Sequence, residues 1–103
     1  MKAYCVSVLN EFESDIVFAE GPNEAKTKAL SGQCVFNTMY DEYINLRCRR
    51  EKTVDGMENE SPELIAYKLI KEAGWVWDDG EIDETNIDEP EFRERFYDIF
   101  KEK

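Results

Sequence analysis

An α+β fold is predicted for this chain by three observations. Alternating β-rich runs stand near the N-terminus, three segments carry helix punctuation or helical apolar spacing, and 42% of the 103 residues are hydrophobic. A chain of this length can bury roughly 65% of its unfolded surface, enough for a core without metals or disulfides. The expectation is a single domain over 1–103, a small antiparallel sheet packed by two to three helices, ending in an acidic extension and amphipathic helix at 78–103.

Residues 2–9 (KAYCVSVL) alternate, with Tyr4, Val6 and Val8 on one face and Cys5, Ser7 and Leu9 on the other, and 15–20 (DIVFAE) is a second β-rich run. The polar interval 10–14 between them reads as a turn, so the two make a hairpin. A helix over 22–31 follows, opened by Pro22, with Glu24 in its first turn and Gly32 as terminator; Ala25 and Ala29 give it a small inward side. Residues 33–42 read as a loop with some helical turn. In 43–50 (YINLRCRR), Ile44, Leu46 and Cys48 face one way and Arg47 and Arg49 the other, the pattern of a half-buried strand. The interval 51–60 has turn chemistry at Asp55-Gly56 and no apolar period, so it is expected to be the most mobile interior loop.

Ser61-Pro62 opens a helix over 62–73 that Gly74 stops, with Ile65, Ala66, Leu69, Ile70 and Ala73 in one sector. Residues 75–77 (WVW) read as a fourth strand, Asp79-Gly80 as a turn, and 81–84 as an edge strand. A last helix over 89–102 begins acidic. It carries Phe92, Phe96, Ile99 and Phe100 on one side and Glu91, Glu94, Asp98 and Glu102 on the other, where Arg95 can pair with Glu91 at i, i+4.

Charge is the most distinctive property. Up to Trp77 there are 13 acidic and 9 basic residues, net −4; from Asp78 on there are 11 and 4, net −7, which sums to −11. Such a field opposes direct contact with nucleic acid or anionic lipid and favours a basic partner. With no histidine, the commonest general base is missing, and so are the usual catalytic triads and histidine metal sites. No phosphate-binding glycine motif occurs. The run 78–89 resembles a calcium loop in composition but puts Gly80, Ile82 and Asp83 where ligand, ligand and glycine belong. No catalytic residue, metal or cofactor is therefore expected. Cys5, Cys34 and Cys48 read as reduced structural thiols, with Cys34 or Cys48 as a nucleophile the enzymatic alternative. No apolar run matches a membrane span, and acidic residues arrive too early for a signal peptide, which predicts a cytoplasmic protein.

Arg47, Arg49, Arg50 and Lys52 form a basic cluster, expected to neutralise neighbouring carboxylates rather than to bind phosphate. Trp75 and Trp77 share a face if extended, either as core or, with Phe100, as an aromatic interface. In extended chain, Asp79, Glu81 and Asp83 would project on one side about 6 to 7 Å apart. With Glu91, Glu94, Asp98 and Glu102 they would make a row of negative charge comparable to a phosphate backbone. The alternative is a solubilising face.

The segments MKAYCVSVLNEFESDIVFAEGPNEAKTKAL, YINLRCRREKTVDG and LIKEAGWVW together resemble small uncharacterised proteins of phages and prophages. The likeness covers about Met1 to Trp77. Where those proteins carry a cysteine pair after the tryptophan segment, this chain has the acidic stretch and the aromatic helix. In charge and size the chain is also similar to phage anti-defence proteins, anti-CRISPRs among them, though no residues match. Together with the row of negative charge and the missing catalytic chemistry, these resemblances lead to the expectation of a non-catalytic phage or prophage protein of the bacterial host cytoplasm. It would bind a basic, nucleic-acid-handling host protein through Asp79, Glu81, Asp83, Glu91, Glu94, Asp98 and Glu102, with an aromatic module (Trp75, Trp77, Phe100) as the alternative. Oligomeric state is open.

Overall fold

The computed structural model describes residues 1–8, 14–40 and 46–101. It is α+β, with a three-stranded antiparallel sheet and three α-helices among the described residues. The chain divides into two compact units, Met1–Asn59 and Glu60–Lys103. The division precedes the change in composition at Asp78.

In the first unit, β1 (Lys2–Val8), β2 (Ser14–Ala19) and β3 (Leu46–Arg50) form a sheet in the order β2-β1-β3. Leu9, residues 10–13 of the turn expected over 10–14, residues 41–42 of the expected loop and residues 43–45 of the expected third strand lie outside the described residues, and Ser14 belongs to β2. The register sets Tyr4 beside Val17 and Arg50, and Val6 beside Asp15 and Cys48. Strand alternation then does what the pattern predicts. Tyr4, Val6, Val17, Ala19 and Leu46 share one core with Ala25 and Ala29 of α1 (Pro22–Leu30), whose methyl-sized side chains allow close approach to the sheet. Gly32 ends that helix in the left-handed region, at φ 79°, where a Cβ would be strained.

Asp15 is charged yet wholly buried, and it is tolerated because three main-chain N–H groups donate to its carboxylate: Ile16 at 2.6 Å, Phe36 at 2.9 Å and Thr38 at 3.0 Å. It thereby ties the loop after α1 to β2. This explains why 33–40 holds a defined path with only short turns and no regular element.

The interval 51–60 differs from its expectation as a loose loop. It contains a 3₁₀ turn at Lys52–Val54 with Val54 buried, and Asp55 accepts from the Ala3 N–H (2.7 Å) and from both Arg50 guanidinium nitrogens (2.7 and 2.6 Å). The Gly56 N–H donates to the Met1 carbonyl at 3.0 Å, and the terminal ammonium pairs with Glu58. These anchors are main-chain and ionic, so apolar periodicity cannot reveal them.

In the second unit, the Ser61 hydroxyl caps α2 (Pro62–Ala73) by accepting from Leu64 N–H at 3.2 Å, and Gly74 (φ 74°) ends it. The predicted stripe is buried at Ile65, Ala66, Leu69 and Ile70. Helix α3 (Pro90–Lys101) buries Phe96 completely and leaves Phe92, Ile99 and Phe100 half-buried. No strand forms over 75–77 or 81–84. A single antiparallel bridge joins Trp77 to Ile82, with Trp77 N–H to Ile82 C=O at 2.8 Å and the reverse bond at 3.0 Å. Asp78, Asp79 and Gly80 all adopt left-handed backbone (φ 54°, 55° and 87°), which turns the chain back before a strand can extend. Aspartate tolerates that region better than most residues, so the sequence DDG is itself the reason.

Two expected outcomes follow from these anchors. Asp15→Ala orphans two loop N–H groups and should lower stability by about 3 to 5 kcal/mol in urea unfolding. Arg50 holds the Asp55 carboxyl down to about 2, so its stabilisation is complete above the ordinary carboxylate value near 3.9 and is lost as pH falls toward 2. Asp55→Asn should therefore flatten the acid limb of stability between about pH 4 and 2, read by acid titration of the unfolding midpoint.

Candidate functional site

The second unit concentrates the charge. From Glu60 onward there are 14 acidic and 6 basic residues, net −8, whereas the first 59 residues hold 10 and 7, net −3. Where its cations are spent decides which carboxylates remain available.

Arg95 does not pair with Glu91. Its guanidinium turns instead to the hairpin loop, where it donates to Asp78 and to Glu81 (2.7 Å), and its charged form is favoured by both. Lys71 donates to Asp88 at 2.6 Å, and the same carboxylate accepts from the Tyr67 hydroxyl at 2.6 Å; Lys71 first and Tyr67 second hold the Asp88 carboxyl below its usual range. Arg93 lies over the Tyr67 ring at 4.3 Å from its centroid and pairs with Glu63 at 3.5 Å. One of its guanidinium nitrogens is buried without a hydrogen-bond acceptor, and ring contacts to Tyr67 and Phe96 compensate it.

Asp83 is engaged within its own loop. It accepts from the Thr85 hydroxyl (2.5 Å) and N–H (2.9 Å), while the Asn86 side chain accepts from Asp83 N–H (2.9 Å) and donates to the Glu81 carbonyl (2.7 Å). Thr85 holds the Asp83 carboxyl below its usual range. This local network lets Ile82 and Ile87 be buried within an otherwise polar loop.

The extended row of Asp79, Glu81 and Asp83 is thus not formed, because the backbone at 79–80 is left-handed, Glu81 is drawn to Arg95 and Asp83 is engaged by Thr85. Among the described residues, Asp79, Glu84, Glu89, Glu91, Glu94 and Asp98 are exposed and make no ion pair or side-chain hydrogen bond. Glu91, Glu94 and Asp98 fall on one face of α3 over about 10 Å of axis. Tyr97, 52% exposed, adjoins them. Glu102 lies outside the described residues.

The tryptophans join an aromatic cluster within this unit. Trp75 stacks on Trp77 (6.0 Å, 24° between planes), and Trp77 meets Phe96 edge-on at 6.1 Å and Phe100 at 5.9 Å; Phe96 and Phe100 are 5.0 Å apart. Both tryptophans are half-buried, intermediate between core and open interface. The partnerships of Asp88 and Arg93 escape sequence reading, since their other members, on α2, lie 17 to 30 residues away.

All three cysteines are free. Burial pushes the Cys34 thiol up to about 12, with Asp15 adding to it, and burial also raises Cys48. A nucleophilic thiolate needs the opposite environment. In the first unit, Arg50 neutralises Asp55 as expected of the basic cluster, but Arg47 and Arg49 are exposed and form no ion pair among the described residues. Among those residues no group of three or more acidic or cysteine side chains is placed to hold a metal ion, and no helix is long and apolar enough to cross a membrane.

No family model, curated protein or solved structure matches this chain.

Arg95→Gln should release Asp78 and Glu81 into mutual repulsion and loosen the hairpin. Amide exchange at Trp77 and Ile82 should then accelerate by roughly tenfold, while the amides of β1 stay unchanged.

Proposed function

We propose that the protein is a non-catalytic inhibitor that binds a basic, nucleic-acid-handling protein and covers its nucleic-acid site with the outer face of α3. The observation that carries this reading is the selective use of cations. Arg93, Arg95 and Lys71 are committed to Glu63, Asp78, Glu81 and Asp88, and Glu91, Glu94 and Asp98 are left together on one exposed helix face. Successive charges along that face advance about 4.5 and 6 Å, against about 3.4 Å per phosphate along one DNA strand, and lie within the screening length of roughly 8 Å. They act on a partner as one field.

The resemblance of residues up to Trp77 to phage and prophage proteins supplies the setting, a bacterial cytoplasm in which the target is a host protein of nucleic-acid defence. An anti-CRISPR-like role follows from that setting and the charge.

The test is capture from bacterial lysate by the immobilised protein at about 50 and 500 mM salt, with duplex DNA as competitor, using the wild type and Glu91→Lys/Glu94→Lys/Asp98→Lys. A nucleic-acid-binding protein should be retained at low salt, released at high salt, displaced by DNA and lost to the triple variant, since salt releases contacts of this kind by factors of about 10³ or more. Capture that ignores salt and DNA overturns the reading. Loss only on truncating Trp75 and Trp77 would move the contact to the aromatic cluster.

A further inference from the structure

The two edges of the sheet are not equivalent. Along β1 the main-chain groups of successive residues point to alternate neighbours, and the Glu51 N–H donating to the Ala3 carbonyl (3.0 Å) fixes the phase: Arg47, Arg49 and Glu51 face inward to β1. Leu46, Cys48 and Arg50 therefore direct their main-chain N–H and C=O outward. On the opposite edge, β2, both outward groups of Ile16 and the Phe18 carbonyl are occupied. Ile16 N–H donates to Asp15 (2.6 Å), the Ile16 carbonyl accepts from Val35 N–H (2.9 Å), and the Phe18 carbonyl accepts from the Lys28 ammonium (2.9 Å). The outward main-chain groups of Cys48 and Arg50 have no such partner among the described residues. Among the described residues the two edges thus differ, with outward groups partnered at Ile16 and Phe18 of β2 and unpartnered at Cys48 and Arg50 of β3.

The open edge is also the positively charged place on the chain. Residues 47–52 hold four cations against Glu51. Arg47 and Arg49, two strand rises or about 6.6 Å apart, project to the face opposite α1, exposed and without an ion pair among the described residues. Within this short stretch the cations outnumber the one carboxylate, and they lie within a screening length of roughly 8 Å of each other, so a ligand approaching Arg47 and Arg49 meets a local positive field.

We infer that the β3 edge, Leu46–Arg50, receives an extended acidic segment of another polypeptide as an added strand, with carboxylates at alternate positions meeting Arg47 and Arg49. The ladder of N–H and C=O groups demands a polypeptide, because a phosphate backbone offers no main-chain donors at that spacing. The arginines exclude a second copy of β3, since antiparallel self-pairing sets like charges opposite one another. This surface differs in place and in sign from the face of α3 and does not rest on the function proposed above.

The experiment follows amide exchange in the full chain with a synthetic peptide of alternating Glu and Thr. A second peptide carries the same charges but N-methyl groups on the residues whose N–H would face β3. The plain peptide should slow exchange at Cys48 and Arg50 by about tenfold or more. The methylated peptide should not, and Arg47→Glu/Arg49→Glu should abolish the effect and accept an alternating Lys-Thr peptide instead. Absence of protection at Cys48 and Arg50, or equal protection by the methylated peptide, overturns the inference. The two peptides decide this on the wild-type protein even where the double variant fails to fold.

Discussion

The C-terminal unit has 14 carboxylates and 6 cations, and its structure depends on the double engagement of one of those cations, Arg95, with Asp78 and Glu81. Asp78 sits in left-handed backbone, in a hairpin closed by the Trp77–Ile82 bridge. Drawing the guanidinium of α3 onto both ends of that loop neutralises repulsion where the chain can least spread to relieve it. It also places Trp77 against Phe96 and Phe100, so the ionic contact and the aromatic cluster hold the same two pieces together. The geometry of the outward carboxylates is a consequence, because a helix docked this way has only one face left to show.

How far the residues disclose this varies with the kind of interaction. Where burial follows a period, the sequence is transparent: Tyr4, Val6 and Val17 fill the sheet face, Ile65, Ala66, Leu69 and Ile70 the α2 stripe, and Phe96 the centre of α3. Caps are equally plain at Ser61 and Gly74, since each solves a local main-chain problem. Opaque are the pairings that cross sequence distance. Arg95 and Glu91 satisfy the i, i+4 rule, yet Arg95 reaches residues 14 and 17 positions away, because two carboxylates at a turn attract it more than one on an open helix. Asp15 reads as one acidic residue at a strand's start and proves to be the acceptor that shapes residues 36 to 38. The strand expected at 75–77 fails for a reason present in the letters, since the consecutive aspartates before Gly80 tolerate the left-handed backbone that turns the chain back.

The first unit has a milder imbalance of the same sign. Its net charge is −3, from 10 acidic and 7 basic residues, and its paired charges cluster around the start of β1, where Asp55 takes the Arg50 fork and the Ala3 N–H together. That arrangement engages the cation on the α1 side of β3, so alternation along one short strand separates a salt-bridged arginine from two exposed ones that form no ion pair among the described residues. The same strand thus seals the beginning of β1 and keeps an edge that repels its own kind.

Magnitudes explain why an acidic helix face is sustainable at all. Glu91–Glu94 and Glu94–Asp98 are like-charge neighbours at i, i+3 and i, i+4, and each such pair on a solvated helix costs about 0.2 to 0.5 kcal/mol. Fully burying one phenylalanine contributes about 1.5 to 3 kcal/mol before entropy, and Phe96 is fully buried. The apolar side of α3 therefore outweighs the repulsion on its polar side, and the helix can hold three carboxylates in fixed relation without a counter-charge of its own. Fixed relation is what matters for recognition. A disordered acidic tail would have to be ordered by its partner, at a cost of about 1 to 2 kcal/mol per residue in backbone entropy, whereas a face already docked through Phe96 and Trp77 presents its field without that loss.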